Sequence, residues 1–462
     1  MTRKLTAIRL KRIDVKQLIQ NMQHNTTYDL SSWADIARVC SDPSYAQSRF
    51  LRVKNQDGLF VIRYEKDKLL TQRVNEGMGL FRSVISDGEK IICFSPPKAV
   101  EFPEELADIP LYDPDEGGNN QQDCPFTAVR VEEFVEGTMV NVFWNHHTQD
   151  WELATRSCVG ARNKFYEDQD KTFRYMFLEA MNNTTLEFTD LQKDFCYSFV
   201  LQHPDNRLVI PFVSPHLVLV AVYKPIGAGK VLSIERGEWK KNDTDDDDLI
   251  DRRRSVGYPR VFMPIDGPIT RNERRSFSDM KAHFDIGREG YQVMGVVIRF
   301  GDGKRARIRN KNYEYVRRLR GNSTKMQYHY YCLRQAGQVS EFLKYYPEWG
   351  HDFGEMRDDL HSWTRNLREN YMACFARKVG RLNAYPFAFR PHMRALHQIY
   401  RDTLRAEKKH VTIAIVKDYV NGLPPARLMF AINYEVNQRH TDRKVVNANA
   451  ALTATQSLPS GY

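Results

Sequence analysis

The sequence predicts an α+β domain built on antiparallel sheets, followed by an all-helical C-terminal domain. Three observations carry that reading. A chain of 462 residues with 42% hydrophobic content is long enough to bury a full core and to form two or three domains. From Thr127 to Arg309 it runs in short alternating stretches such as Val140-Asn141-Val142-Phe143-Trp144 and Leu217-Val218-Leu219-Val220-Ala221-Val222-Tyr223, the pattern of sheets. After Tyr313 the apolar spacing becomes helical: Trp363, Leu367, Tyr371 and Phe375 repeat on one face, and Met393, Leu396, Ile399 and Tyr400 on another.

In chain order, the stretch up to Phe102 mixes helix and strand signals, and Ile91-Ile92-Cys93-Phe94-Ser95-Pro96-Pro97 reads as a strand that a proline pair stops. Residues Asp113-Pro114-Asp115-Glu116-Gly117-Gly118-Asn119-Asn120 read as a turn-rich loop. The stretch from Asp243 to Asp251 is almost wholly acidic and runs into Arg252-Arg253-Arg254. Consecutive aspartates repel and rarely converge on one ion, so it is read as a solvated loop without a metal. The last helix is expected to stop near Asn421-Gly422 and Pro424-Pro425, and the polar, small-residue end from Lys444 reads as a disordered tail. Tyr330-Tyr331, Tyr345-Tyr346-Pro347 and Trp349 gather aromatics near the predicted domain junction, where burial between domains is preferred over a partner surface.

The 68 Lys and Arg against 58 Asp and Glu leave a net charge of +10, which favours acidic partners, nucleic acid or an acidic protein surface, without choosing between them. Seven cysteines, Cys40, Cys93, Cys124, Cys158, Cys196, Cys332 and Cys374, include no CxxC pair and no Cys/His cluster at zinc spacing. Reduced thiols in a cytosolic setting are expected. The start, Met1-Thr2-Arg3-Lys4-Leu5, lacks the apolar core of a signal peptide, and no run approaches a membrane span, so neither secretion nor membrane insertion is expected.

The segments that bear on chemistry fall in one order. Phe81-Arg82-Ser83-Val84-Ile85 and Ser95-Pro96-Pro97-Lys98-Ala99-Val100-Glu101-Phe102 come first, then Phe134-Val135-Glu136-Gly137-Thr138. Trp151-Glu152-Leu153-Ala154-Thr155-Arg156-Ser157-Cys158-Val159-Gly160 and Phe199-Val200-Leu201-Gln202-His203-Pro204-Asp205-Asn206-Arg207-Leu208-Val209 follow. Met294-Gly295-Val296-Val297-Ile298 leads through Asp302-Gly303 to Arg307-Ile308-Arg309. Together, in this order and with these gaps, they resemble the bacteriophage-type RNA ligases, in the superfamily of covalent nucleotidyltransferases that also holds DNA ligases and capping enzymes. Tyr313 to Asn322 is similar to the helix that leaves the last motif in ligase-like proteins of large eukaryotic DNA viruses. The resemblance implies an antiparallel-sheet nucleotidyltransferase domain over residues 1–320, a helical domain over 321–443 and a tail over 444–462.

In that family a lysine amine attacks ATP and carries AMP through a phosphoramide bond. Phe134 stands at the position of that lysine, and a phenyl ring can do neither. The third-motif carboxylate, which receives ribose hydroxyls, is Val200, and the fourth-motif carboxylate, which helps place metal and nucleotide, is Met294. The two fifth-motif lysines are Arg307 and Arg309, the one exchange that keeps charge. If nucleotide or phosphate binding is retained, the resemblance assigns it to Arg82, Glu136, Gly137, Arg156, Arg207, Arg307 and Arg309. Gly137 fits a tight turn or a close backbone approach equally well, and each arginine fits a surface ion pair. A second register would place the fourth motif at Glu289-Gly290-Tyr291 and restore its carboxylate, but requires a bulge before Arg307. The Met294 register is preferred. Lys98 and Lys164 are the nearest candidates for a relocated nucleophile, and both read as surface or phosphate-contact residues.

The resemblance with these losses implies a catalytically inactive pseudoenzyme with no metal and no cofactor, used as a structural or assembly component. A minor capsid or other virion protein is the specific expectation, with virion or capsid proteins as partners and the virion and host cytoplasm as its places. One alternative is an RNA- or DNA-end-binding protein, which draws on the run Arg305 to Arg309 with Lys311. The other is an RNA ligase that depends on ATP and Mg and uses a non-standard nucleophile.

Overall fold

The computed structural model describes residues 26–101, 129–164, 171–227, 229–234, 256–260, 277–300, 303–434 and 438. The chain divides into two units, one up to Arg320 and one from Gly321. The turn-rich stretch 113–120, the acidic stretch 243–251 and the tail from 444 lie outside the described residues.

Sheets dominate the first unit. Its described strands are β1 (Thr27–Asp29), β2 (Leu51–Gln56), β3 (Leu59–Tyr64), β4 (Val84–Ser86), β5 (Ile91–Phe94), β6 (Val100–Glu101), β7 (Val129–Glu133), β8 (Thr138–Asn145), β9 (Asp150–Thr155), β10 (Cys158–Val159), β11 (Cys196–Gln202), β12 (His216–Pro225), β13 (Lys230–Ile234), β14 (Gly295–Phe300) and β15 (Arg305–Arg309). They pair into a seven-stranded sheet ordered β1-β13-β12-β11-β8-β9-β10, a four-stranded sheet β6-β15-β14-β7 and a second four-stranded sheet β2-β3-β4-β5. The pairings are antiparallel except that β6 runs parallel to β15. The expected strand over residues 91–97 ends at Phe94, just before Ser95-Pro96-Pro97, because proline cannot donate to a ladder. Its described helices are α1 (Ile36–Ser41), α2 (Pro43–Ser48), α3 (Thr71–Asn75), α4 (Phe173–Asn182), α5 (Phe277–Asp285) and α6 (Lys311–Arg320).

Strand alternation decides which side chains meet. On β11, Tyr197, Phe199 and Leu201 share a core with Val140, Val142, Leu217 and Leu219 and with Phe173, Met176, Phe177 and Ala180 of α4. Those α4 positions recur at i, i+3, i+4 and i+7, and Thr172 caps the helix by accepting from the Tyr175 N–H at 3.2 Å. Cys196, Ser198 and Val200 lie on the opposite face of β11. Near Cys196 that face joins Phe143 and Tyr223 in a core with Ile62, Val84, Ile85 and Phe94 of the β2–β5 sheet. In the third sheet, Val131, Val296, Ile298, Ala306 and Ile308 pack with Met280 and Phe284 of α5.

The second unit is helical among its described residues: α7 (Met326–Gln335), α8 (Val339–Tyr345), α9 (Gly350–Tyr371), α10 (Arg390–Ile399), α11 (Ile413–Asn421) and α12 (Pro425–Ile432). Trp363, Leu367 and Tyr371 are buried on α9, and Met393 and Leu396 on α10, following the expected spacing. One expectation is corrected. α11 stops at Asn421 with Gly422 as its cap, as expected, but it is not the last helix: Pro425 stands at the first position of α12, where the missing N–H has no intrahelical partner to lose. Tyr330, Tyr331 and Tyr346 are buried in the helical unit, with Phe342 stacked on Tyr346 at 4.6 Å and Tyr330 against Phe353 at 5.0 Å. No described helix is long and apolar enough to cross a membrane. The six described cysteines are free, with Cys93 and Cys196 buried.

His392 of α10 ties the helical core to α11 through its Nδ1, 2.9 Å from the Tyr419 hydroxyl, and lies edge-on to Trp363. Burial, with Arg427 adding to it, pushes this imidazole down to about 4. An unfolded histidine titrates near 6.5, so between these values the unfolded chain holds more protons than the folded one. Stability is therefore expected to fall as the pH is lowered from about 6.5 toward about 4. Thermal melts of the wild type and His392→Gln across this range check it: the variant should show a flatter pH slope, and equal slopes would refute the assignment.

Candidate functional site

The stretch Phe134–Gly137 crosses from one sheet to another, from the end of β7 to the start of β8. The Phe134 N–H donates to the Gly295 carbonyl at 2.9 Å, which extends the β7–β14 ladder by one step. Gly137 has φ +146°, and a Cβ there would stand 2.4 Å from the Leu201 carbonyl oxygen. Gly295 has φ +130°, and its Cβ would stand 2.2 Å from the Ile308 carbonyl oxygen. Only glycine fits either place. Gly295 opens β14 opposite Arg309, so Met294 immediately precedes the strand. Glu289 and Gly290 lie in the turn before it. The Glu289 carboxylate engages His283 Nε2 at 2.9 Å, and Asn310 Nδ2 donates to the carbonyls of Gly290 and Val293 at 2.7 and 2.8 Å.

The next residue, Val135, packs with Met139 against a separate buried cluster of Val200, Val218 and Val220. Burying the three valines is worth about 5 kcal/mol, and the same surroundings would penalise a carboxylate at position 200. A bulge helps build this wall: Ser198 pairs with Ala221 and Phe199 with Leu219, so the register skips Val220. The Val220 carbonyl accepts instead from Arg299 Nη2 of β14 at 2.7 Å, while Arg299 Nε donates to the buried Glu132 at 2.9 Å. Next to the apolar wall the same sheet face turns polar. Ser198 Oγ donates to Asn141 Oδ1 at 2.8 Å, and Asn141 Nδ2 donates to Ser95 Oγ at 2.7 Å.

Ser95 begins the segment that carries Lys98, and here the cations converge. The Lys98 N–H donates to the Gly79 carbonyl, and three residues later Glu101 pairs with Arg307 across β6 and β15. Burial, with Arg307, Arg82 and Arg309 adding to it, pushes the Lys98 amine down to about 8. Burial also lowers Arg82, and Arg156 and Arg307 push it the same way. Arg305 is pressed down to about 9 by burial and by Arg299; its Nη1 donates to the Pro97 carbonyl at 3.1 Å and its Nε is buried without a hydrogen bond. Two carboxylates answer this charge: Glu101 accepts from Arg307 Nε at 2.9 Å, and Glu314 accepts from Arg309 Nη1. Positive charge thus gathers in a partly dry place, the arrangement that holds a phosphate or another anion.

The structure brings together Arg82, Lys98, Arg307 and Arg309. Arg156 is exposed at the margin, its Nε donating to the Arg82 carbonyl at 3.3 Å and its guanidinium 5.1 Å from the Tyr64 ring centre. Lys164 is exposed. Glu136 and Arg207 bond to the loop after β11. The Glu136 side chain is buried, and its Oε1 accepts the N–H groups of Val209 and Ile210 at 2.9 and 3.0 Å. Arg207 donates from Nε to the Val209 carbonyl, inside the same loop. Asn206 holds that loop too, through its Nδ2 to Thr138 Oγ1 at 2.8 Å. Glu136 is thus the anchor of the loop after β11, and burial pushes its carboxyl up while those N–H groups pull it down. Val218, Val220 and Met139 were not singled out from sequence; alternation on β8 and β12 marks them as one-face residues, but only the strand pairing puts them beside Val200.

Glu136→Ala leaves two buried N–H groups without a partner and should destabilise the chain by about 3 kcal/mol, with Glu136→Gln costing less because an amide oxygen still accepts. Denaturant melts of both variants decide it. Wild-type stability in Glu136→Ala would return the residue to a ligand-facing role.

No protein-family model matches the chain. It is 26% identical over 102 residues to an RNA ligase of Rhodothermus phage RM378, which covers 20% of this chain and 23% of that protein, so the likeness spans about a quarter of the relative. Among solved structures it is similar to a putative ATP-dependent DNA ligase from Aquifex aeolicus, with 15% identity, 71% of this chain and 80% of that one covered, and a TM-score of 0.35. An archaeal ATP-dependent RNA ligase has 14% identity over 70% of this chain and 79% of that one, with a TM-score of 0.36. The chain is RNA-ligase-like, in line with the order of its motifs.

Proposed function

We propose that this chain is an RNA-ligase-like protein that has lost covalent nucleotidyl transfer and serves as a binding or assembly component. One observation carries the reading: at the junction of β7 and β8, where the resemblance calls for an amine, stands the phenyl ring of Phe134. The residues around it do not fit ATP and magnesium either. A ribose needs hydrogen-bond partners and a magnesium ion needs oxygen ligands, whereas Val135, Met139, Val200, Val218 and Val220 offer side chains with neither. The one acidic side chain of the first motif, Glu136, accepts the Val209 and Ile210 N–H groups at its Oε1. Beside this wall the cations Arg82, Lys98, Arg307 and Arg309 keep an anion-binding character, which supports contact with the phosphate of an RNA or DNA end. A place in the virion, as a minor capsid or other particle protein in contact with capsid proteins, is proposed on the resemblance alone. Absence from purified particles would remove it.

A second reading has one observation in its favour. The Lys98 amine, at about 8, is a better nucleophile at neutral pH than an ordinary lysine, and it stands among phosphate-binding arginines. Incubating the full chain with ATP labelled at the α-phosphate and with magnesium or manganese separates the two. No label surviving denaturation, beside a lysine-bearing ligase that labels, is the expected result. A label lost in Lys98→Ala would establish the second reading and overturn the first.

A further inference from the structure

The helical unit holds a cleft of about 610 Å³ between α9 and α11, lined also by Arg334 of α7. Two stripes of side chains make its walls. On α9, Asp358, His361, Ser362 and Arg365 recur at i, i+3, i+4 and i+7; on α11, Ile413, Lys417, Val420 and Asn421 recur at i, i+4, i+7 and i+8. Either stripe alone reads as an ordinary solvated helix face, but the fold turns both toward a common space. The floor is apolar. Leu360, Thr364 and Val420 are buried there, and the Thr364 hydroxyl is spent on the Leu360 carbonyl at 2.7 Å.

The walls are cationic. Arg365 stands on α9, Lys417 on α11 and Arg334 on α7, and among the described residues none of the three forms an ion pair. The acidic residue that lines the cleft, Asp358, pairs with Arg357 Nε at 3.0 Å. Arg334 is held in place: its Nη2 donates to Asn421 Oδ1, and the neighbouring Gln335 Nε2 donates to the Asn421 and Leu423 carbonyls at 3.0 and 2.6 Å, which ties the end of α7 to the end of α11. A basic residue in the last turn of α7 also offsets that helix's dipole. Arg365 and Lys417 lie inside their helices, where the dipole gives them no such role. Like charges on the two walls oppose closure of the cleft, and an anionic occupant relieves them.

We propose that this cleft docks an acidic segment of a partner protein, with an aliphatic side chain over Leu360 and Val420 and carboxylates meeting Arg334, Arg365 and Lys417. The α11 wall from Ile413 to Asn421 is about 12 Å long, the span of about four residues of extended chain. Charge complementarity and the aliphatic floor select this occupant. Among the described residues no Phe, Tyr or Trp lines the cleft for a base to stack on, and a bare inorganic anion would leave the floor uncovered. The cleft lies wholly in the helical unit, so it stands whatever chemistry Phe134 or Lys98 has.

The test uses the full chain and a fluorescein-labelled peptide of ~8 residues, Glu and Asp around a central Leu, by anisotropy at roughly 50 and 200 mM salt. Binding should weaken with salt and fall about tenfold or more in Arg365→Glu/Lys417→Glu, both at exposed positions. Arg401→Glu/Arg405→Glu, exposed but outside the cleft, changes the charge equally and should bind as the wild type does. A peptide with Ser in place of its Leu should bind about fivefold more weakly. The proposal is overturned by absence of binding, by equal losses in the two double variants, or by a serine peptide that binds as well as the leucine one. It is equally overturned if single-stranded RNA binds more tightly than the peptide and loses that affinity in Arg365→Glu/Lys417→Glu. A rise in peptide affinity in Asp245→Ser/Asp246→Ser/Asp247→Ser/Asp248→Ser would make the chain's own acidic stretch the occupant and overturn the partner.

Discussion

Two backbone approaches that only glycine permits organise the sheet unit. At Gly137 the chain leaves β7 for β8 against the Leu201 carbonyl, and at Gly295 β14 starts against the Ile308 carbonyl. Phe134, bonded to Gly295 by its N–H, sits between these contacts and is placed by backbone rather than by its own side chain. The geometry around it can therefore persist whatever residue stands there. This explains how a fold of this kind can hold its shape while the polar residues that chemistry would need are replaced.

What fills the region follows from the same frame. Skipping Val220 in the β11–β12 register frees its carbonyl for Arg299, which is held in turn by the buried Glu132. The strut joins two sheets and leaves Val200, Val218 and Val220 facing one another. Burial of these valines is favourable, whereas a carboxylate among them would meet a desolvation penalty of several kcal/mol unless a cation or metal answered it. The cluster is thus self-consistent: each buried valine makes the next one less costly.

The cations beside the wall have not followed that course. Arg82, Lys98, Arg305, Arg307 and Arg309 press on one another, and Glu101 and Glu314 answer only part of the charge. Crowded like charges in a partly dry place raise the free energy of the fold unless an anion relieves them.

Much of this was legible in the residues themselves. Alternation in Val140–Trp144 and Leu217–Tyr223 marked β8 and β12, helical spacing marked the buried faces of α9 and α10, and motif order located Phe134, Val200, Met294, Arg307 and Arg309, because these signals are local or depend only on sequence separation. That Glu136 and Arg207 bond to the loop after β11 was not legible, since a charged residue reads alike whether or not it holds a loop. Pro425 at a helix start, the aromatic core around Tyr346, and the union of Val218 and Val220 with Val200 likewise emerged only from pairing and packing. The sequence by itself determined which elements form and which chemical groups are missing. Only the tertiary structure decided which groups share a space, because strand register, burial and electrostatic crowding arise between residues far apart along the chain.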